Sequence, residues 1–413
     1  MALDSNEHVT LIGGGQAGAQ VAFSLRGWGF DGPITLLCEE DAPPYQRPPL
    51  SKAFLKGELP EERLYLKPEQ WYSDNRVEVV RSTRAEAIDR AARRVRLTGG
   101  ASVDYDRLVI ATGSRPRPLP LPGADLSNVF ELRGLADVKS LAPVMEPGRH
   151  MVIIGAGYIG LEAAAVARQM GLEVTVLEMA PRVLARVTSP LMSEFYEREH
   201  TAKGVDIRLG AGLASLSGEA GAVNCARLGD GTEIAADIVL VGIGILPNTE
   251  LAEEAGIACK DGILVDRDGK TNDPRVYAAG DCAHRPLVHF GRSGRLESVH
   301  NAIEQGKLIA ASLLGRPRPP EDTPWFWSDQ YDLKLQIAGL SEGYDEIAVR
   351  GDPGARRFAA FYLRQGQLLA VDAVNSAPEF LASKRLIAAG AKLAAETLTD
   401  TSVSMKEIAA TAI

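Results

Sequence analysis

V-T-L-I-G-G-G-Q-A-G, residues 9–18, decides the fold. A short aliphatic run (Val9, Leu11, Ile12) enters a turn with glycines at 13, 15 and 18, and a helix opens over 17–25. Gly13 permits the tight turn, Gly15 lets backbone N–H groups approach a pyrophosphate, and Gly18, next to Ala17, lets helix and strand pack closely. The phosphate charge then sits on the helix N-terminus, where unpaired N–H groups and the helix dipole favour an anion. A lone G-x-G-x-x-G also arises from any glycine-rich turn, so the context has to carry the reading. Residues 34–38 read as a second strand ending at Glu39, 26 positions after Gly13, where a carboxylate can accept hydrogen bonds from an adenosine ribose.

Further along, the pattern recurs. Residues 151–154 read as a strand, and Gly155, Gly157 and Gly160 form a second G-x-G-x-x-G. A helix follows to about Met170, and the next strand, 174–177, ends at Glu178, 23 positions after Gly155. Two complete strand–turn–helix–strand–acid units, 142 residues apart (155 − 13), predict two separate dinucleotide sites, one per domain. Glu178 favours NADH over NADPH, because a carboxylate bonds a 2′-hydroxyl and repels a 2′-phosphate. Arg182 and Arg186 lie close enough in sequence to offset that repulsion.

Composition sets the frame for these sites. At 413 residues, two or three domains are expected. A net charge of −9 argues against wholesale binding to nucleic acid or an anionic membrane. No apolar run reaches the roughly 18 residues of a membrane span, and MALDSNEH lacks the regions of a signal peptide, so a cytoplasmic protein is expected. The four cysteines (Cys38, Cys225, Cys259, Cys282) are scattered, a spacing that supports neither a metal site nor a local redox disulfide. Each reads as a small buried or half-buried hydrophobe.

Between and beyond the two units the chain is punctuated. The stretch D-A-P-P-Y-Q-R-P-P-L-S-K, 41–52, has four prolines and forms a stiff extended segment that fixes Arg47 and Lys52. By composition alone it reads equally as a rigid loop with solvated cations. Ser51 is placed to cap a helix over 53–55. Strands are expected at 77–80, 95–97 and 108–110, the last running into Ala111-Thr112-Gly113, whose small residues suit close approach to a ligand. Residues 237–244 read as a buried strand, and Asp281, after 275–280, reads either as a ligand contact or as a turn residue. A helix over 301–314 and a proline-rich linker follow. Trp325-Phe326-Trp327 then opens a different module, with strands at 334–338, 346–349, 357–363 and 367–371 and a helix over 378–389. Trp325 and Trp327 read as core residues of that module or as site residues. The fold class is therefore α/β, two Rossmann-like dinucleotide-binding domains plus a C-terminal α+β domain. The expected boundaries are 1–117 with 249–322, 118–248, and 323–413.

Over essentially its whole length the sequence resembles the FAD-dependent, NADH-using ferredoxin reductases that serve bacterial cytochromes P450 and aromatic-ring dioxygenases, within the glutathione reductase fold group. The stretches that carry the resemblance are RPPLSK (47–52), DYDRLVIATGSRPRPLP (104–120), VIIGAGYIGLE (152–162), GIGILPNTELA (242–252), YAAGDCA (277–283), ESVHNAIEQGK (297–307) and PWFWSDQY (324–331). The resemblance implies that Gly13, Gly15, Ala17 and Gly18 hold the FAD pyrophosphate and Glu39 its ribose. Arg47, Ala85, Ala111, Thr112 and Arg133 match further FAD contacts, Asp281 the aspartate on the ribityl–phosphate portion, and Val299 a backbone contact to the isoalloxazine. Gly155, Gly157, Ile159, Gly160 and Gly244 match NADH contacts, with Glu178 on the ribose. Lys52 matches a lysine beside the flavin ring, Glu162 an acid that approaches it, and Trp327 an aromatic near the nicotinamide. One departure matters: disulfide reductases of the wider group need a cysteine just after the first βαβ unit, and residues 40–60 contain none.

The implied reaction passes electrons from NADH through FAD, one at a time, to a small [2Fe–2S] ferredoxin, with no metal held by the chain itself. An acidic ferredoxin requires a local basic patch on a net-negative protein, and Arg292, Arg295, Lys384 and Arg385 are the candidates. A monomer or weak homodimer is expected. The alternatives are an NADH oxidase, a rubredoxin reductase, or a redox-sensing NADH binder resembling apoptosis-inducing factor.

Overall fold

The computed structural model describes residues 3–412, apart from the side chain of His289. The chain divides into two compact units: Met1–Gln46, Glu62–Arg115 and Pro247–Phe326 in the first, Arg47–Glu61, Pro116–Leu246 and Trp327–Ile413 in the second.

The first unit is built on a five-stranded parallel sheet in the order Val276–Ala278, Arg107–Ile110, Val9–Ile12, Ile34–Leu37, Val77–Val80. Its strands read as unbroken apolar runs because both faces are covered. Val9, Leu11, Ile34, Leu36 and Val109 pack under the helices Gln16–Gly27 and Val299–Leu313. Ile12, Leu37, Leu108, Ile110 and Val276 fill the opposite core. The expected strand over 34–38 stops at Leu37, and Cys38 lies just beyond it, buried.

In the second unit the same architecture recurs: Val205–Leu209, Glu173–Glu178, His150–Ile154, Ile238–Val241, Val129–Phe130, again parallel. The strand expected over 237–244 ends at Val241. A three-stranded antiparallel sheet (Leu213–Glu219, Ala222–Leu228, Glu233–Ala235) and the helix Pro190–Ala202 add to it, and the sequence reading had neither. The duplication extends to the entry of each central strand. His8 N donates to Asp106 at 2.9 Å and His150 N to Asp237 at 2.8 Å, while each imidazole Nε2 lies 2.9 Å from a threonine hydroxyl, Thr35 and Thr175.

The second unit also contains an antiparallel sheet, Trp325–Gln330, Leu333–Gly339, Gln367–Val374, Arg357–Arg364, Glu346–Asp352, whose edge strand joins this unit from Trp327 onward. Phe358, Phe361 and Tyr362 are wholly buried in it, and the helix Ala377–Ala388 packs on it through Phe380 and Leu386. Trp325–Trp327 is thus the start of a fifth strand. Residues 53–55 form turns, and the helical piece in this region is the 3₁₀ turn Pro48–Ser51 ahead of them. Ser51 therefore caps nothing; its hydroxyl goes elsewhere. Among the described residues no helix is long and apolar enough to cross a membrane.

Candidate active site

In the first unit the glycine loop lies against the exit of the neighbouring strand. Gly13 takes φ +117°, and a Cβ there would lie 2.1 Å from the Ala111 carbonyl oxygen. A Cβ at Gly18 would meet the Gly13 carbonyl at 2.2 Å. Gly15 is the opposite case: among the described residues nothing lies within 4 Å. It precedes the helix Gln16–Gly27 in extended conformation and provides no side-chain cap, so the first-turn N–H groups are left for an outside acceptor. Ala17, in that first turn, is buried.

Other expected residues of this unit gather at the same end of the sheet. Ala111 N donates to Ile12 O at 2.7 Å, and Thr112 Oγ1 donates to Asn248 O at 2.7 Å. Asp281 accepts from Ser114 Oγ at 2.8 Å, and its carbonyl accepts from Arg295 at 3.1 Å. Val299 opens a helix capped by Ser298, whose hydroxyl accepts from Asn301 N at 3.1 Å. Ala85 begins the strand Ala85–Asp89, outside the parallel sheet.

The second unit repeats the cradle. A Cβ at Gly155 would stand 2.4 Å from Gly242 O and one at Gly160 2.2 Å from Gly155 O, while Gly157 has, among the described residues, nothing within 4 Å. The helix Tyr158–Gln169 is likewise without a side-chain cap from Gly157. Ile159 is 40% exposed at its mouth. Glu178 spans the loop: Oε2 accepts from Ala156 N and Oε1 from Ala180 N, both at 2.8 Å. Arg182 is committed to Thr188 O, Ser193 Oγ and Ala185 O, so its guanidinium is not available to a 2′-phosphate. Arg186 is exposed, and a Cβ at Gly244 would lie 3.2 Å from it.

Strand register separates the two acids. Leu37 lies beside Ile12 and Leu177 beside Ile154, so the residue corresponding to Glu178 is Cys38, and Glu39 stands one position further on. The Cys38 sulfur occupies the space where a Cβ at Gly14 would fall, 2.3 Å away. Glu39 is exposed and paired with Arg84 at 3.1 Å.

Also within the second unit, the proline-rich segment brings its cation to Glu162. Lys52 Nζ and Ser51 Oγ each donate to Glu162 Oε2 at 2.6 Å, and Ser328 Oγ donates to Oε1 at 2.6 Å. Glu162 is 3% exposed, Lys52 18%. A carboxylate this deep is tolerable because both oxygens are paired. Arg47 donates to the Arg133 carbonyl at 2.7 Å, tying the two expected FAD contacts of this unit together. Trp327, half-buried, immediately precedes Ser328. Both serines lie in stretches that carry the resemblance, RPPLSK and PWFWSDQY, but nothing local there marks either as a partner of Glu162.

All four cysteines are free; burial pushes the Cys38 thiol up to about 12 and Cys259 up to about 11, and raises Cys282 as well. Both cradles otherwise suit a dinucleotide: two glycines packed too closely for a side chain, one open glycine, and behind it a helix N-terminus without a side-chain cap.

Comparison with known proteins agrees with this geometry. Residues 7–306 match the family profile described as pyridine nucleotide-disulphide oxidoreductase, and residues 325–409 match one described as reductase C-terminal. The chain is 43% identical to the probable ferredoxin reductase CtmF of Castellaniella defragrans, over 98% of this chain and 100% of that one. It is also 43% identical to putidaredoxin reductase CamA of Pseudomonas putida, over 99% and 98%. Among solved structures, the covalent putidaredoxin reductase–putidaredoxin complex superposes with a TM-score of 0.97 at 42% identity, covering 99% of both chains.

Proposed function

The chain belongs to the pyridine nucleotide-disulphide oxidoreductase family, and from that membership we propose that it is an NADH-dependent reductase feeding electrons to a [2Fe–2S] ferredoxin of a cytochrome P450 or aromatic-ring dioxygenase system. It is an oxidoreductase and a flavoprotein, using FAD with a nicotinamide dinucleotide. The observation that carries the finer reading is the pair of glycine cradles in a chain with no cysteine in residues 40–60, where a disulfide reductase of the wider group needs one, and with the thiol nearest that stretch, Cys38, buried and pushed up to about 12.

When bound, FAD supplies the conversion of a two-electron hydride into single electrons. The residues present supply the rest. In the first unit Gly13, Gly15, Ala17 and Gly18 would hold the FAD pyrophosphate and Glu39 its ribose, with Ala111, Thr112, Asp281 and Val299 around the same sheet end and Ala85 as a further FAD contact. In the second, Gly155, Gly157, Ile159, Gly160 and Gly244 would hold NADH, and Glu178 bonds its 2′-hydroxyl. Glu178 repels a 2′-phosphate and Arg182 is committed elsewhere, which leaves Arg186 as the one of the two arginines able to offset that; NADH is the proposed reductant. Lys52, held by Glu162, would provide a fixed positive charge beside the flavin, and Trp327 would supply an aromatic near the nicotinamide. Arg47 and Arg133 complete the FAD contacts. We assign 1–117 with 249–322 to FAD, 118–248 to NADH and 323–413 to the C-terminal domain.

Docking of an acidic ferredoxin needs a local basic patch on this net-negative chain. Arg295 is 12% exposed and paired with both Asp261 and Glu297, so its charge is balanced where it stands. Arg292 and Arg385 are exposed and Lys384 is half-buried, and these three with Arg295 are the residues proposed to meet the ferredoxin. The protein acts in the cytoplasm, as a monomer or weak homodimer. The test is direct: purify the protein, record the flavin spectrum, and measure cytochrome c reduction through added ferredoxin with NADH and NADPH at increasing salt. Ferredoxin-dependent turnover that prefers NADH and slows with salt is expected. Turnover with O₂ alone, with rubredoxin, or a long-lived reduced complex with NAD⁺ would replace the proposal by an oxidase, a rubredoxin reductase or an NADH sensor respectively.

A further inference from the structure

Glu162 is the end point of a hydrogen-bond chain that runs well beyond Lys52. Ser328 has one hydroxyl proton and gives it to Glu162 Oε1 at 2.6 Å, so toward its other neighbour it must accept. That neighbour is the Gln330 amide nitrogen, which donates to Ser328 Oγ at 3.1 Å. The Gln330 carbonyl oxygen is then left to accept, and His200 Nε2 lies 2.8 Å from it, which puts the imidazole proton on Nε2. His200 Nδ1 is accordingly an acceptor, and the Tyr331 hydroxyl lies 3.4 Å from it. Every donor in this chain points toward Glu162, and each link fixes the orientation or tautomer of the next.

The chain is also dry. Glu162, Ser328, Gln330 and His200 are all at most 3% exposed, so no solvent competes for these bonds. Burial pushes His200 down to about 4, against a smaller raising effect of its bond to Gln330, so the ring stays neutral at physiological pH. Its outer end, Tyr331, packs against His200 with ring centroids 5.1 Å apart and the ring planes tilted by 55°, and lines a surface cleft of about 290 Å³ beside Arg168, Gln169, Lys203 and Asp332. Lys52 and Ser51 use only Oε2; without Ser328 the other carboxylate oxygen loses the partner that sets its rotation.

We propose that Ser328, Gln330 and His200 are positioning residues that hold the Glu162 carboxylate in one orientation and thereby fix the Lys52 ammonium in place. This inference rests on the reading of Lys52 as the fixed charge beside the flavin. It predicts that the three residues act on the hydride step through Lys52 alone, without touching either dinucleotide.

The experiment is a coupling cycle on the holoenzyme. Ser328→Ala should slow flavin reduction by NADH in stopped flow by roughly tenfold, the size of one hydrogen bond to a charged group, with the KM for NADH within about twofold of wild type. Gln330→Leu and His200→Leu should do the same, and His200→Gln, which returns an N–H donor near Nε2, should recover most of the rate. In the Lys52→Gln background, Ser328→Ala should slow the reaction no further, a non-additivity that a merely structural role does not produce. Independently of turnover, ¹⁵N spectra of the six histidines should include a neutral ring protonated at Nε2 that persists to pH 5 and vanishes in His200→Gln. If Lys52→Gln itself leaves reduction unchanged, the reading of Lys52 fails. If Lys52→Gln is slow but the Ser328→Ala and Gln330→Leu proteins, with full flavin content, reduce at the wild-type rate, or if the two losses multiply, the relay is refuted and the parent reading stands.

Discussion

Acidification should expose two buried groups that oppose each other, and single substitutions should unmask them with opposite sign. His200 is wholly buried, and its ring is pushed from 6.5 down to about 4, by burial first, with Gln330 partly opposing. Between those values the unfolded chain binds a proton that the folded ring refuses, so stability falls as pH drops from 6.5 toward 4. Two and a half pH units at about 1.4 kcal/mol each amount to about 3 kcal/mol. Asp372 runs the other way. It is 2% exposed, accepts from Thr188 and Tyr362 at 2.5 Å each, and burial raises it from 3.8 to about 6. The folded carboxyl therefore holds a proton that the unfolded one has lost, and stability rises by about 3 kcal/mol as pH drops from 6 to 4. In the wild type the two contributions largely cancel. His200→Gln keeps only the Asp372 effect and should become less acid-labile than wild type; Asp372→Asn keeps only the His200 effect and should become more so. Reversible urea unfolding at pH 7, 6, 5 and 4, with refolding verified at each pH, reads the difference. Exposed carboxylates contribute equally to all three proteins and drop out of the comparison. If both variants shift the acid slope in one direction, or neither moves it by as much as 1 kcal/mol, the burial argument is wrong.

The remaining predictions concern the cradles and the charge beside them. Gly15→Ala, where the added methyl meets open space, should fold with a wild-type melting curve yet lose flavin, read as the ratio of absorbance at 450 and 280 nm. Gly13→Ala, whose methyl would sit 2.1 Å from the Ala111 carbonyl at φ +117°, should fail to accumulate as folded protein; normal yield of yellow protein would contradict the packing described. Glu178→Ala should raise the KM for NADH and narrow the preference over NADPH by roughly tenfold or more in kcat/KM, since it removes both the ribose acceptor and the repulsion of a 2′-phosphate; an unchanged ratio counts against Glu178 as the discriminator. Lys52→Gln should slow flavin reduction far more than it weakens FAD binding, and equal stopped-flow rates would remove Lys52 from the proposed mechanism.

What the sequence displays of the fold is what local sterics enforce. Gly13 and Gly18 announce themselves because no other residue fits where they stand, and their counterparts Gly155 and Gly160 repeat the constraint with the same helix length between loop and helix end. Apolar runs mark the parallel strands because both faces are buried. Counting residues fails where a connection changes length. From helix end to the paired strand residue the first unit spends two residues more than the second, Gly27 to Leu37 against Gln169 to Leu177. The spacing of 26 to Glu39 therefore looked like the spacing of 23 to Glu178, although register aligns Glu178 with Cys38. Small polar residues were misread for a similar reason. Ser51 before an apolar run has the form of a helix cap, and only a partner 111 residues away tells otherwise.

The site divides along the same line. A residue is legible when its chemistry is demanded by a neighbour in sequence, as Glu178 is by the strand it terminates. It is silent when its role is created by packing. Ser328 and Gln330 lie in the stretch PWFWSDQY that carries the resemblance, but nothing in it names their partners, and His200 lies in no such stretch: they are alternate positions of an edge strand and one turn of a helix, His200 and Gln330 130 residues apart. The chain linking them exists because Glu162, placed on an all-buried helix face, brings a charge into a region with no water, and that charge has to be met from every side the fold presents. A buried carboxylate on such a face is thus itself a signal. It says that hydroxyls and amides must converge on it from elsewhere in the chain, and the strand that begins at Trp325 is where the sequence, with S-D-Q set between aromatics, had polar residues to offer.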